Sequence, residues 1–205
     1  ILVVDAGVMF PENDMLGIDY IIPDMHYLMQ NRDKVKGIVI THGHEDHTGA
    51  IHHLMEQVSA PVYATPLTRG LLEVKLGRNG LSSKVELNTV HAGESSQIGP
   101  FKVEYYHVCH SIPDGVGLGI DSPAGLVVHS GDYKFDHTPV DNWPSDYAKL
   151  AEFSERGVLA LLADSTNAER AGWTPSERVV DSALDQVFRE AKGRIIMASF
   201  ASLIS

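Results

Sequence analysis

A chain of 205 residues with 43% hydrophobic residues is long enough to bury one large domain, or one domain and part of another. Its formal net charge of −11 argues against nucleic-acid binding through a broad basic surface, but it is compatible with an enzyme whose substrate phosphates meet bound cations. No stretch reaches the ~20 apolar residues of a membrane span, no signal-peptide pattern opens the chain, and the single Cys109 excludes an intrachain disulfide, so we expect a cytoplasmic protein.

Short apolar or β-branched runs alternate with helical patterns along the chain. The runs predict strands over residues 1–4, 37–41, 61–65, 101–108, 126–130, 158–163 and 194–199. Helical spacing of apolar residues predicts helices over about 48–58, 66–76 and 175–192. Residues 139–154, which include Trp143 and Pro144, are predicted to form an irregular connection. This alternation is typical of a layered α/β domain.

The last predicted helix has the clearest boundary signals. The sequence TPSE (174–177) matches a capping box with proline at the first helical position, and Gly193 stands where a C-terminal cap belongs. Apolar residues recur at helical spacing between Val179 and Ala191, so we expect this helix to pack one face on a sheet.

A dense group of metal-binding side chains follows the second predicted strand. The sequence THGHEDHTG (41–49) places His42, His44, Asp46 and His47 within six positions. Positions i and i+2 lie about 200° apart on a helix, so these side chains converge only in a tight loop, and Gly43 permits such a turn. Imidazoles and a carboxylate at this density suit Zn²⁺ or Mn²⁺. The alternation allows His42 and His44 to bind one ion while Asp46 and His47 bind another.

One loop cannot complete two metal sites, so further ligands are expected at the ends of other strands. His110 follows the apolar run FKVEYYHVC, Asp132 follows LVVHSG, and Asp5 follows ILVV. Open α/β sheets place their sites at the carboxyl ends of strands, so we expect these three residues near the loop. The residues that follow Asp132 could line a nucleotide groove, although packing is the simpler interpretation: Tyr133, Lys134 and Phe135.

The order of these segments resembles the metallo-β-lactamase superfamily, whose core is an αββα sandwich: VDAG (4–7), THGHEDHTG, HSIPD (110–114) and GDYKFD (131–136). More narrowly, the chain resembles the ribonuclease J group, the prokaryotic RNA-processing members that carry a beta-CASP domain. The narrower resemblance rests on DAGVMFPENDMLGIDYIIPD, CHSIPD, GDYKFD, LLADSTNAE and ASFAS. It implies an α/β fold in which residues 1–174 form an incomplete metallo-β-lactamase core and residues 175–205 start a beta-CASP domain.

The resemblance also implies a role for each candidate site residue. It assigns the first metal ion to His42, His44 and His110, and the second to Asp46 and His47, with Asp132 bridging both ions. It makes Asp5 a group that orients the loop rather than a ligand, and it gives Asp164, in LLADSTNAE, a similar supporting role.

The activity implied is that of a metal-dependent ribonuclease. Two divalent ions, Zn²⁺ or Mn²⁺, would activate a water that hydrolyses RNA phosphodiester bonds, with Asp46 and Asp132 holding the nucleophile. The implied substrate is single-stranded, 5′-monophosphorylated RNA, cut by a 5′-to-3′ exonuclease, an endonuclease or both, in a cytoplasmic homo-oligomer. Members of the group have a further metal-binding histidine and a pocket for the 5′ phosphate, and both would follow Ser205. We therefore expect the chain, which begins without Met, to be a fragment truncated at both ends.

Two other functions fit the same ligand loop. A small-molecule hydrolase of the superfamily, acting on a thioester, lactone or β-lactam, would use Asp46 in the same way. GDYKFD, the sequence after Asp164 and the predicted helix at 175–192 favour the nuclease. A non-catalytic metal-binding or scaffold subunit is disfavoured because all six candidate ligands are present.

Overall fold

Two β-sheets form the centre of the computed structural model, which describes residues 1–199. The first sheet has four parallel strands in sequence order: β1 (Leu2–Val4), β2 (Gly37–Val39), β3 (Val62–Ala64) and β4 (Leu87–Thr89). The second sheet has five: β5 (Ser95–Ile98), β6 (Phe101–His107), β7 (Val116–Ser122), β8 (Gly125–His129) and β9 (Val158–Leu162). Strands β5 to β8 are antiparallel, and β9 runs parallel to β8.

The described residues also form six helices. They are α1 (His26–Gln30), α2 (Glu45–Thr48), α3 (Ile51–Gln57), α4 (Pro66–Arg78), α5 (Tyr147–Arg156) and α6 (Arg178–Glu190), with a 3₁₀ turn at Arg32–Lys34. Within residues 1–199, no helix combines the length and apolar character needed to cross a membrane.

The alternation of side chains along the strands creates three hydrophobic layers. In β2 and the residue after it, Ile38 and Ile40 pack under α3 and α4, whereas Val39 points to the second sheet. In β6, Tyr105 faces the first sheet, and Tyr106 on the opposite face packs with Phe153 of α5. The order helix, sheet, sheet, helix confirms the predicted αββα layering.

Helix α5 is fixed to the second sheet by a buried ion-pair network. Phe153 is 1% exposed, and its ring occupies the space that a Cβ at Gly119 of β7 would fill, so β7 needs glycine there. Next to it, the buried carboxylate of Glu104 lies 2.6 Å from Lys149 Nζ and 2.7 Å from an Arg156 guanidinium nitrogen. This helix begins at Tyr147, so the prediction of an irregular connection over 139–154 is wrong from that residue onwards, whereas residues 139–146 form no helix or strand.

The structure also corrects the predicted elements near the C-terminal end of the described residues. Residues 194–199 form no strand, and residues 200–205, with the end of the ASFAS segment, lie outside the described part. Helix α6 begins at Arg178 instead of Pro175 and ends before a cap at Ala191 instead of Gly193. Its apolar face does not pack on a sheet, since Val179 is 60% and Phe188 is 43% exposed.

Three strands and part of one helix differ from the sequence predictions. Strands β4, β5 and β7 were not predicted, because LNT and SSQI are polar and VGLGIDS is diluted by glycine. The predicted helix over 48–58 is two helices, α2 and α3, and α2 begins at Glu45. Asp46 and His47 therefore lie on a short helix, while His42 and His44 lie on the loop before it.

Candidate metal centre

The histidine-rich segment lies where the two sheets meet. It follows β2, and the carbonyl of Thr41 accepts a hydrogen bond of 3.0 Å from Val116 N at the start of β7. The segment after β1 lies against it, with Ala6 N donating to His47 O at 2.8 Å. Gly7 makes this approach possible, because a Cβ at that position would lie 1.5 Å from the carbonyl oxygen of Asp46.

The first predicted ligand set converges on one point. His44 Nδ1 lies 3.1 Å from His42 Nε2 and 3.1 Å from His110 Nε2. Nitrogen ligands at about 2.0–2.1 Å around a tetrahedral ion stand roughly 3.3 Å apart, so this spacing fits a Zn²⁺-sized ion. His42 is 1% and His44 is 9% exposed, so these nitrogens are held in place by the core.

The second predicted set lies beside the first. His47 Nε2 is 3.4 Å from Asp132 Oδ2 and 3.7 Å from Asp46 Oδ2. The same oxygen of Asp132 is 3.7 Å from His110 Nε2, so Asp132 stands between the two sets. Donor atoms of His42, His47 and Asp132 lie within 4.8 Å of one another, as do those of the first set. Asp46 is the most open of these groups, with its side chain 62% exposed.

The protonation states of the first set suit metal binding. Burial lowers the pKa of His42 to about 2 and also lowers the pKa of His44 and of His110. These three imidazoles are therefore neutral at physiological pH, and the neutral ring is the form that binds a metal ion. The donor types and their spacing fit a divalent transition-metal ion.

The second set has the opposite character. Burial acts to lower the pKa of His47, but the contacts with Asp132 and Asp5 outweigh it and raise the pKa to about 10. The His47 contact lowers the pKa of Asp132 to about 2, and burial opposes this only in part. A metal ion that binds His47 would therefore have to displace a proton from its ring. The neighbouring carboxylates of Asp132 and Asp5, which attract that proton, would also attract the ion.

Asp5 contacts the ligand loop through its carboxylate, and the orienting role that the family resemblance implies for it stays a prediction. Its carboxylate accepts hydrogen bonds from Thr41 N at 2.8 Å and from Thr41 Oγ1 at 2.9 Å, and it lies 2.8 Å from His47 Nδ1. With Nδ1 bonded to Asp5, Nε2 of His47 is left to face Asp132. The Thr41 hydroxyl also lies 3.0 Å from His42 Nδ1, so one carboxylate positions both ligand sets.

Asp164 lies at the same edge of the second sheet, just after β9. Its backbone N–H donates to Ser130 Oγ at 2.9 Å, and its carboxylate accepts from Thr166 N at 2.8 Å. It lines the same cleft as His110 and Asp132. Its supporting role toward the ligands stays a prediction.

Two supports of the loop were missed by sequence reasoning. Lys75 of α4 reaches Glu45 Oε2 at 2.5 Å and Thr48 Oγ1 at 3.4 Å, although its position gives no local signal of this contact. Gly7 was recognisable only as part of VDAG. A glycine two residues after a strand-end aspartate is compatible with close backbone approach.

Comparisons with known proteins find matches along the chain. A family model described as "Beta-lactamase superfamily domain" matches residues 4–151. Ribonuclease J of Synechocystis sp. is 48% identical over 206 residues, ribonuclease J of Helicobacter pylori (strain 26695) 45% over 204, and ribonuclease J2 of Bacillus subtilis 44% over 205. These alignments cover 99–100% of this chain, but the chain spans only 30–37% of the length of those proteins.

Solved structures show the same fold at low sequence identity. A protein of unknown function from Enterococcus faecalis V583 matches with a TM-score of 0.59 at 16% identity, covering 91% of this chain and 52% of that one. Zn²⁺-bound PqqB from Methylobacterium extorquens matches with a TM-score of 0.53 at 15% identity, covering 84% and 61%. The family model, the two-sheet fold and the ligand order together establish that this chain belongs to the metallo-β-lactamase superfamily.

Proposed function

We propose that the protein containing this chain is a metal-dependent ribonuclease that hydrolyses phosphodiester bonds in RNA. The observation that carries the proposal is the identity of 44–48%, along essentially the whole chain, to proteins named ribonuclease J. The predicted ligands support it, because five of the six fall into two groups whose donor atoms lie within 4.8 Å of one another, and Asp46 lies 3.7 Å from His47 Nε2.

The residues divide into two ligand sets for two divalent ions, with Zn²⁺ favoured and Mn²⁺ the alternative. His42, His44 and His110 would hold one ion, and their nitrogen donors favour zinc. His47, Asp46 and Asp132 would hold the other, with Asp132 shared. When bound, such ions lower the pKa of a water and neutralise charge on the phosphodiester oxygens.

The side chains of the chain itself contribute orientation and proton handling. Asp46 and Asp132 offer carboxylate oxygens that can accept hydrogen bonds from the attacking water and fix its direction. Asp5 holds His47 through Nδ1, so the ring cannot rotate away. Bound cations at the centre would supply positive charge for the phosphate of the substrate, which reconciles RNA cleavage with a net charge of −11.

The finer properties of the proposal come from the sequence resemblance. They are a single-stranded substrate with a 5′ monophosphate, 5′-to-3′ exonuclease activity, endonuclease activity or both, a homo-oligomeric assembly and a cytoplasmic location. A small-molecule hydrolase acting on a thioester, lactone or β-lactam is the competing function, and no relative named above favours it.

The test uses the full-length protein that contains this chain. Turnover of 5′-monophosphorylated single-stranded RNA is compared with turnover of a generic thioester after loading with Zn²⁺ or Mn²⁺, and metal content is measured in parallel. We expect RNA cleavage and two ions per chain. Asp132→Asn should lower kcat on the order of 100-fold or more, whereas the exposed control Asp19→Asn should not change it.

Three results would contradict the proposal. Thioester turnover without RNA cleavage would favour the competing hydrolase. A metal content of zero or one per chain without any turnover would favour a scaffold subunit. RNA cleavage that is unaffected by Asp132→Asn would place the chemistry elsewhere in the protein.

A further inference from the structure

A cleft of about 540 Å³ opens directly beside the metal-ligand residues. His110 and Asp132 belong to its lining, so the cleft reaches the ligand residues. Its walls are formed by the residues that follow β8 and by the segment between β9 and α6. A substrate bound at the centre would therefore extend along this cleft.

The cleft exposes two aromatic side chains. Phe135 is 49% exposed and Trp173 is 82% exposed, and both line the cleft. Phe135 is held in place by neighbouring rings, with ring centroids 5.0 Å from Tyr133 and 5.6 Å from Tyr147. The Phe135 ring is therefore fixed in position and suited to stack on a planar ligand at little entropic cost, and Trp173 offers a second exposed aromatic face in the same lining.

Away from the ligand residues, the charges of the cleft are unfavourable for a phosphate. Among the cleft-lining residues that the structure describes, two carboxylates lie outside the predicted ligand set: Asp164 and Glu177. Lys134 is the one lysine or arginine in that described lining, and its Nζ is neutralised by Glu177 at 2.8 Å and by Asp136 at 3.7 Å. A phosphate placed there would meet repulsion, whereas a neutral, flat group would not.

Polar but uncharged groups complete the lining. Thr166, Asn167 and Thr174 offer hydroxyl and amide groups of the kind that hydrogen-bond the edges of nucleobases. Together with the aromatic faces and the absence of a free cation in the described lining, they match a nucleobase better than a sugar–phosphate backbone.

We propose that the part of this cleft lined by Trp173 and Phe135 is a nucleobase site. A base of the RNA next to the cleaved phosphodiester stacks there on the two rings. The proposal rests on the proposed ribonuclease function and specifies how that site holds its substrate. Stacking uses the flat face that every base has, so this site binds all four bases and gives little sequence preference. The phosphate is held at the metal-ligand residues, and the base is held by Trp173 and Phe135.

The test uses the full-length protein and short RNAs in which a single nucleotide lacks its base, moved one position at a time around the cleavage site. In the wild type, one abasic position should lower kcat/KM by roughly 5- to 150-fold, mainly through KM, because one stacked base is lost. Trp173→Ala should lower kcat/KM on normal RNA by a similar factor and remove the penalty at that one position. Trp173→Phe should restore most of the kcat/KM that Trp173→Ala loses on normal RNA.

Matched variants separate this site from general effects. Tyr27→Ala removes another exposed aromatic, 66% exposed on α1 and outside the cleft lining, and should behave as wild type. Trp173 is so exposed that its removal should leave the unfolding temperature unchanged, and Phe135→Leu tests the second ring with less loss of packing.

The outcomes distinguish the two proposals. If the wild type cleaves no RNA, the proposed function fails. If the wild type cleaves RNA but the abasic penalty is the same in Trp173→Ala and in Phe135→Leu as in the wild type, the nucleobase site is overturned and the ribonuclease function stands. A third outcome concerns the RNA backbone. The loss of kcat/KM in Trp173→Ala could disappear when one phosphate is replaced by a neutral methylphosphonate and persist when a base is removed. That result would overturn the base site in favour of a backbone site.

Discussion

His47 Nδ1 lies 2.8 Å from Asp5 Oδ2, and this pair joins the end of the first strand to the metal-ligand loop. Both side chains are mostly buried, with exposures of 16% and 14%, so solvent screens the contact only weakly. Asp5 also fixes the backbone of Thr41, which precedes the first ligand. One carboxylate therefore sets the geometry of both sides of the centre.

Replacing Asp5 by asparagine should weaken metal binding by about 10- to 100-fold, because an amide of the same size cannot accept all of these hydrogen bonds. The measurement is a competition titration with a chromophoric chelator. An unfolding temperature close to that of the wild type would show that the fold persists. Asp33→Asn, at an exposed position in the 3₁₀ turn, is the matched control. Unchanged affinity in Asp5→Asn would show that His47 needs no orienting partner.

Gly7→Ala should disrupt the ligand loop, because the new Cβ would lie 1.5 Å from Asp46 O and 2.8 Å from His47 N. Both contacts are with backbone atoms, so the loop must move, at a cost of about 1–3 kcal/mol or more. Gly70→Ala is the matched control, since α4 leaves open space there and alanine favours a helix by about 1 kcal/mol. The measurements are the free energy of unfolding in urea and the metal content. Both should fall in Gly7→Ala, and neither should fall in Gly70→Ala.

The local part of this centre was predictable from the sequence. His42, His44, Asp46 and His47 stand within six residues. The strand before them and the short helix α2, which contains Asp46 and His47, bring them to one edge. His110 and Asp132 were predictable for a related reason, because each follows a strand with a strong apolar pattern.

What could not be predicted depends on contacts between distant segments. Strand β7 lacks the apolar pattern of a strand because Gly117 and Gly119 make room for the rings of Tyr106 and Phe153. The need for this space arises only once the sheet and α5 are assembled. Helix α5 did carry a local signal, since Asp146 caps it by accepting from Lys149 N, but the preceding Trp143 and Pro144 masked it. The contact between Lys75 and Glu45 spans 30 residues and has no sequence signature.

Lys75→Met should loosen the start of α2. The side chain of Lys75 is 18% and that of Glu45 38% exposed, so solvent reduces the contribution of the pair to about 1 kcal/mol of stability. Because Glu45 lies between two ligands in sequence, we expect metal affinity to fall by about tenfold or less, in proportion to the lost free energy. The double variant Lys75→Glu/Glu45→Lys should recover part of the loss.

The control for this pair lies on the same helix. Arg69 pairs with Glu73 at 2.9 Å in an exposed i,i+4 arrangement, and Arg69→Met should leave metal affinity unchanged. Equal effects of Arg69→Met and Lys75→Met on chelator competition would show that the charge of α4, rather than the contact with Glu45, matters.

Glu104 should make the fold sensitive to acid. Burial acts to raise its pKa, but Lys149 and Arg156 outweigh burial and lower the pKa from 4.5 to about 2. A carboxylate with a pKa lower in the folded state than in the unfolded state stabilises the fold above pH 4.5, and this contribution disappears as the pH falls from about 4.5 to about 2. Its size at neutral pH is on the order of 2–3 kcal/mol.

Urea unfolding of the wild type and Glu104→Gln between pH 7 and pH 3 measures this contribution directly. The gap between their free energies of unfolding should be largest at neutral pH and should shrink steadily below about pH 4.5, because the protonated wild-type side chain then resembles the amide. The exposed control Glu12→Gln should follow the wild type throughout. A gap for Glu104→Gln that stayed constant down to pH 3 would mean that packing of α5, and not the charge of Glu104, accounts for its effect.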